Sequence, residues 1–142
     1  MAAGLGLEGK SVVVTGGCRG IGRRIATAFL ECGAQVVVCC RHRPADPVEQ
    51  GGRQASFVEA DVRRPEDVER VVDAATQAHG RLDVLVNNAG GSPPADAATA
   101  SPRFSASVVE LNLLAPLYCA QAANQVMQAQ DEGGSIVNVA SL

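Results

Sequence analysis

The run Thr15-Gly16-Gly17-Cys18-Arg19-Gly20-Ile21-Gly22 places four glycines and a guanidinium within eight positions. A turn of this kind between a strand and a helix lets backbone N–H groups and the helix N-terminus face a bound phosphate. Some glycines in it supply positive φ, and others keep a Cβ away from the ligand or from the next element. Taken alone, the run has a lesser alternative as a glycine turn that only joins strand to helix, since short glycine patterns have false positives. Further along stand Asp61-Val62, Asn87-Asn88-Ala89-Gly90, Asn112 and Ser141, polar groups able to hydrogen-bond a ligand or move a proton. Each has a plain structural alternative. Asn87 and Asn88 suit a turn, because Asn tolerates left-handed backbone. Asp61 is readable as a strand-end aspartate, and Asn112 as a helix residue bonded to solvent.

These residues need a frame, and the apolar pattern supplies one. Ser11-Val12-Val13-Val14-Thr15 is a buried strand, and residues 21–32 an amphipathic helix stopped by Gly33. A second strand covers residues 35–39. Pro44, Pro47, Gly51 and Gly52 make residues 41–54 mostly loop, with at best a short helix. A third strand covers residues 56–60. Pro65, Glu66 and Asp67 start a helix over residues 65–79 that Gly80 ends, with Val68, Val71, Val72 and Ala75 on its apolar face. Residues 84–86 and 135–139 form the fourth and fifth strands. Between them a loop at 91–99 precedes a long helix over residues 102–130, capped by Ser101. Asp83 is expected to fix the turn before the fourth strand, and His79 to be structural.

Apolar strands alternating with helices predict an α/β fold, a doubly wound parallel sheet covered on both faces. Right-handed crossovers then put a ligand crevice at the C-terminal ends of the strands, beside the glycine loop. The 142 residues make one domain, 1–142. A net charge of −3 gives no basic field, so nucleic acid and anionic membrane surfaces are poor partners. Residues 1–10 have no basic start and no long apolar core, unlike a secretory signal. Cys18, Cys32, Cys39, Cys40 and Cys119 form no C-x-x-C pair and no zinc spacing with His42 or His79, so no metal site is expected. Reduced thiols in a cytoplasmic protein are the expected state, with Cys18 a small space-filling residue.

With those motifs in order, the sequence resembles the short-chain dehydrogenase/reductase family, from about Gly9 to the last residue. Thr15 with Gly16, Gly20, Ile21 and Gly22 matches the family's cofactor loop, to which Cys18 and Arg19 also belong. Asp61-Val62 matches its adenine contact and Asn87-Asn88-Ala89-Gly90 its second signature. Glu110-Leu111-Asn112 matches its helical asparagine, and residues 134–141 the strand that ends on the active-site serine, Ser141. The resemblance implies a Rossmann-like fold and hydride transfer between a nicotinamide and a carbonyl or alcohol carbon of a small molecule. It also implies dimers or tetramers for the full-length protein.

The nicotinamide cofactor has an electrostatic signature. A carboxylate at the end of the second strand bonds the ribose hydroxyls of NAD and repels a 2′-phosphate. Here Cys40 takes that position and Arg41 follows it, with Arg19 in the loop. Guanidinium groups suit a phosphate, which favours NADP(H) over NAD(H). The alternative is that Arg41 and Arg43 are solvated loop charges.

In the family a tyrosine acts as general acid/base, and a lysine one helical turn on lowers its pKa and holds the ribose. A serine stabilises the substrate oxygen, and the asparagine supports a proton relay. A tyrosine beside a cation is a sensible proton donor for an alkoxide at neutral pH. Ser141 and Asn112 are present, but the Tyr-x-x-x-Lys pair is not. The one tyrosine, Tyr118, has Ala122 four residues on, and the one lysine is Lys10. The chain therefore reads as the N-terminal cofactor-binding part of a reductase, truncated after the fifth strand and inactive alone. An exposed fifth strand and exposed helix faces would then favour aggregation. The alternatives are a catalytically inactive nucleotide-binding protein and, less in keeping with Asn87–Gly90 and Ser141, another doubly wound protein such as a methyltransferase. Small residues at 91–100 would line one wall of the substrate pocket and permit many alcohols and ketones.

Overall fold

Val12, Val13 and Val14 are at most 1% exposed, as a strand flanked on both edges and covered on both faces should be. The computed structural model describes residues 4–141, so the expected 1–142 domain begins and ends outside them. The central strand is β1 (Ser11–Thr15). With β2 (Gln35–Cys40), β5 (Ser56–Glu59), β6 (Val84–Asn87) and β7 (Ser135–Asn138) it makes a five-stranded sheet in the order β5-β2-β1-β6-β7. Every pairing is parallel, with Val12 level with Val36 on one side and Val84 on the other. From β1 the chain moves outward through β2 to β5, then crosses back to β6. The order therefore reverses between β1 and β6, and a crevice opens there at the C-terminal strand ends.

Alternate residues of β1 face opposite layers. Val12 and Val14 pack with Ala26 and Leu30 of α1 (Gly20–Glu31). Val13 packs on the other face with Val68, Val72 and Ala75 of α2 (Pro65–His79) and with Ala115 and Cys119 beyond it. The expected α2 helix is found over its whole length, with Gly80 as a left-handed cap at φ 74°. The fold is thus the α/β doubly wound parallel sheet that the apolar pattern implies.

Three segments differ from expectation. Residues 41–54 contain no helix. Gly51 and Gly52, at φ 60° and 76°, instead turn a small antiparallel hairpin of β3 (Glu49–Gln50) and β4 (Arg53–Gln54). Two positive φ values in succession are what a tight hairpin turn requires, and glycine supplies both.

The long helix after Ser101 is interrupted. It runs as α3 (Pro102–Val109), a π turn (Glu110–Leu114) and α4 (Ala115–Gln128). Pro116 has no N–H to offer the Asn112 carbonyl, and the Asn112 side chain takes the Val108 carbonyl at 2.9 Å, so the ordinary i→i−4 ladder cannot continue. The cap itself is as expected, with the Ser101 hydroxyl accepting from the Phe104 N–H at 3.1 Å.

The third difference concerns the cysteines. Reduced thiols are expected throughout, but Cys18 and Cys40 form a disulfide, with Cα atoms 6.4 Å apart. The glycine loop folds over the end of β2, a proximity that a separation of 22 residues does not display. Cys32, Cys39 and Cys119 are free thiols.

The edge strand β7 exposes Ile136 and Val137, Val139 is exposed just after it, and Val109, Leu113 and Leu117 are exposed around the π turn. No helix among the described residues is long and apolar enough to cross a membrane.

Candidate active site

Gly16 leaves β1 at φ +62°, which turns its N–H onto the Cys39 carbonyl at 2.9 Å and starts the loop across the crevice. Gly22 closes the loop. A Cβ there would fall on the Gly16 carbonyl and the Asn88 amide, so only glycine lets helix, loop and β6 meet. At Gly20 nothing lies within 4 Å of where a side chain would begin, so the outer side of the loop is open. Arg19 is the N-cap of α1 but makes no side-chain cap bond, and no acidic residue lies in the first turn. The first N–H groups of α1 thus receive no side-chain acceptor, the condition under which a helix start holds an anion. Ile21 is exposed at the same rim, 67%.

The segment after β6 keeps this loop in place. The Asn88 side chain donates to the Thr15 and Gly16 carbonyls at 3.1 and 3.2 Å. The Thr15 hydroxyl accepts from the N–H groups of Asn88 and Ala89, both at 3.0 Å. Asn88 therefore positions the loop. Asn87 is 4% exposed, and its amide donates to the carbonyl of Pro116 and the side chain of Asn138. Its own Oδ1 has no partner among the described residues.

Asn112 sits in the π turn and grips the chain just after Gly90. Its Oδ1 accepts from the Gly91 N–H and its amide donates to the Gly91 carbonyl, both at 2.8 Å. A side chain at Gly90 would meet that Oδ1 at 2.9 Å. Ser141, exposed, lies three residues past the end of β7 at the same edge of the sheet.

Asp61 follows β5 and is held by its own neighbour. Arg63 donates to its carboxylate through Nε at 2.9 Å and Nη2 at 2.6 Å. This hydrogen bonding holds the carboxyl below its ordinary value, and the positive charge of Arg41 adds to the effect. Val62 is buried, 8% exposed, in the core beneath. Arg19 and Arg41 are both exposed. Arg43 is exposed as well, but its guanidinium lies over the Phe57 ring at 4.8 Å, and it lines a cavity of about 370 Å³.

Two contributions go beyond the sequence-based reading. One is the Thr15 hydroxyl, because the cofactor-loop match includes Thr15 but assigns its side chain no partner. The other is Arg23, which donates to the carbonyls of Cys18, Asp46 and Pro47 and so ties the glycine loop to the segment after β2. The available signal is its place in the first turn of α1, directly after the glycine loop.

The arrangement is an open set of loop amides, two exposed arginines and a positioned asparagine ladder at the C-terminal edge. It suits an anionic ligand such as a phosphate ester.

Known proteins resemble this chain in sequence and in fold. Residues 10–142 match the family model described as short chain dehydrogenase. L-fucose dehydrogenase of Oryctolagus cuniculus is 41% identical over all of this chain and half of its own. The 2-dehydro-3-deoxy-D-gluconate 5-dehydrogenase of Escherichia coli is 34% identical over 96% of this chain and 55% of its own. This chain spans about half the length of the curated relatives it matches. Among solved structures, ligand-free aldohexose dehydrogenase of Thermoplasma acidophilum superposes with a TM-score of 0.85 at 31% identity, over 95% of this chain and 50% of that one. An NADH-dependent reductase A1-R′ complexed with NAD superposes with a TM-score of 0.83 at 25% identity, over 93% and 59%. The chain belongs to the short-chain dehydrogenase family of oxidoreductases.

Proposed function

We propose that this chain is the cofactor-holding part of an NADP(H)-dependent oxidoreductase acting on a small alcohol or ketone. The observation that carries the reading is the uncapped start of α1, framed by Arg19 and by Arg41 beside Cys40, with no carboxylate at the end of β2. When bound, the nicotinamide dinucleotide supplies the carbon that gives or takes a hydride. The loop from Gly16 to Gly22 binds its diphosphate through backbone N–H groups. Arg19 and Arg41 hold the 2′-phosphate by charge-assisted hydrogen bonds. Asp61 and Val62 flank the adenine, with Asp61 using acceptor positions that Arg63 leaves over. Asn88, Ala89 and Gly90 set the floor beneath the ribose.

Ser141 donates to the substrate oxygen, and Asn112 fixes the backbone around it. Proton transfer by a tyrosine–lysine pair is not available in this chain. Tyr118 packs against the core under α4, and Lys10 is paired with Glu132 at 2.7 Å at the far end of the sheet. That observation favours a second reading, a nucleotide-binding chain that is inactive by itself. The relatives named for sugars support a polyhydroxylated substrate for the whole protein. The exposed Val109, Leu113 and Leu117 support a homo-oligomer. A cytoplasmic location, where NADPH is held, belongs to the same proposal.

The test is a fluorescence titration of the chain with NADPH and NADH. NADPH should bind about tenfold or more tightly, and Arg41→Asp should reverse the order. Equal affinities in the unaltered chain overturn the NADP(H) reading. Turnover of an alcohol by this chain overturns the inactivity.

A further inference from the structure

We propose that Cys18 and Cys40 form a reversible thiol–disulfide switch that weakens cofactor binding when oxidised. The proposal rests on the cofactor reading above. Cys18 belongs to the glycine loop and Cys40 ends β2, so their bridge spans the mouth between the two elements that would receive the adenosine ribose. At that strand end a dinucleotide fold bonds ribose hydroxyls. Two thiols there offer S–H donors, and a disulfide offers none.

The geometry suits both states. The Cα separation of 6.4 Å lies within the range that a disulfide spans. Backbone bonds that do not involve the sulfurs hold each side: the Gly16 N–H on the Cys39 carbonyl at 2.9 Å, and the Ala60 N–H on the Cys40 carbonyl at 3.0 Å. The pair therefore stays in register when reduced. A reduced Cys40 thiol has the His42 carbonyl 3.4 Å away as an acceptor. Cys40 is half-buried and Cys18 buried, so exchange begins at Cys40.

The other cysteines do not compete. Burial pushes the Cys39 and Cys119 thiols up to about 12, which keeps them protonated and unreactive. Cys32 lies just past the other end of α1. Arg19 and Arg41, each next in sequence to one cysteine of the pair, give an anionic reagent such as oxidised glutathione a favourable approach.

The reaction balances as thiol–disulfide exchange. Cys40 attacks a small disulfide RSSR, forming a mixed disulfide and releasing RSH. Cys18 then displaces the second RSH as the Cys18–Cys40 bond forms. The protein loses two electrons and two protons, and one RSSR becomes two RSH. A reducing thiol in excess reverses it.

The chain is equilibrated in oxidised or in reduced glutathione, the bridge is mapped by peptide mass, and each form is titrated with NADPH. The oxidised form should bind about tenfold more weakly, and dithiothreitol should restore the affinity. Cys40→Ser, with Cys40→Ala as a second variant, should remove the difference between the two conditions, whereas Cys32→Ser should retain it. Failure to form the bridge overturns the switch, as does equal affinity of the two forms, and in the second case the cofactor reading stands. A mapped bridge with NADPH binding in neither form overturns the cofactor reading and the switch together.

Discussion

Where the strands of the sheet begin, Asp83 is 7% exposed and its carboxylate is fully engaged. It accepts from the Ser11 N–H at 2.8 Å and from the Arg81 Nε at 2.8 and 2.9 Å, with Lys10 nearby at 3.8 Å. Glu132 closes the group by bonding Lys10 and Arg81, and Gln130 bonds Leu82 on both sides of its backbone. Where the strands end, the glycine loop presents amides with no side-chain cap, and Arg19 and Arg41 stand exposed. One end spends its polar groups on itself, and the other keeps donors for something else. The contrast predicts that perturbing the first end changes stability alone, while perturbing the second changes binding.

Asp83→Ala should show the largest effect. It leaves the buried Ser11 N–H without an acceptor and removes the partner of Arg81, at a cost of about 3 kcal/mol. Urea denaturation measures this, and NADPH affinity of the folded protein should stay as it was. If affinity falls in step with stability, the two ends are not separate.

Thr15→Val comes next, because Thr15 lies where the core meets the binding edge. Its hydroxyl serves two N–H groups, of Asn88 and Ala89, and the near-isosteric valine serves neither. The expected loss is about 2 kcal/mol in stability and, in contrast to Asp83→Ala, a drop of about tenfold in NADPH affinity as the Asn88 segment shifts. Retained affinity would show that the Asn88 segment is not what sets the loop.

The same contrast explains what was readable in the sequence. Strands and α2 follow from runs of Val and from Pro65 and Gly80, signals that are local and repeated. The glycine loop, Asp61, Asn88 and Asn112 are legible because their spacing matches a family order. What was missed depends on contacts between distant segments. Arg23 bridges to Asp46 and Pro47, Cys18 reaches Cys40, and Arg63 occupies the Asp61 carboxylate; composition and periodicity carry none of these. The π turn lies between the two kinds. Pro116 is visible in the sequence, but the grip of Asn112 on Gly91 that accompanies it is not.

The smallest effect sharpens the comparison through pH. His79 at the closed end shares a 2.7 Å hydrogen bond with the Ser11 hydroxyl, and burial lowers its pKa below the ordinary 6.5. At Asp83 burial pushes the carboxyl up, but Arg81, the Ser11 N–H and Lys10 outweigh it and hold the pKa below the ordinary 3.8. For both groups the unfolded chain binds more protons at a pH between the two pKa values, so stability falls as pH falls. The His79 contribution is fully present above 6.5 and is lost as pH drops from there through its folded value; the Asp83 contribution is lost only below 3.8. Thermal melts should therefore show a shallow decline between pH 7 and 5, of about 2 °C, and a steep one below pH 4. His79→Gln keeps a hydrogen-bonding side chain beside Ser11 and should flatten the shallow step alone, while Asp83→Ala should lessen the steep one, to which the lowered carboxyls of Asp61, Asp67 and Glu132 also contribute. NADPH affinity at pH 7 should be unmoved by His79→Gln, because that residue stands at the end of the sheet that has no donors to spare.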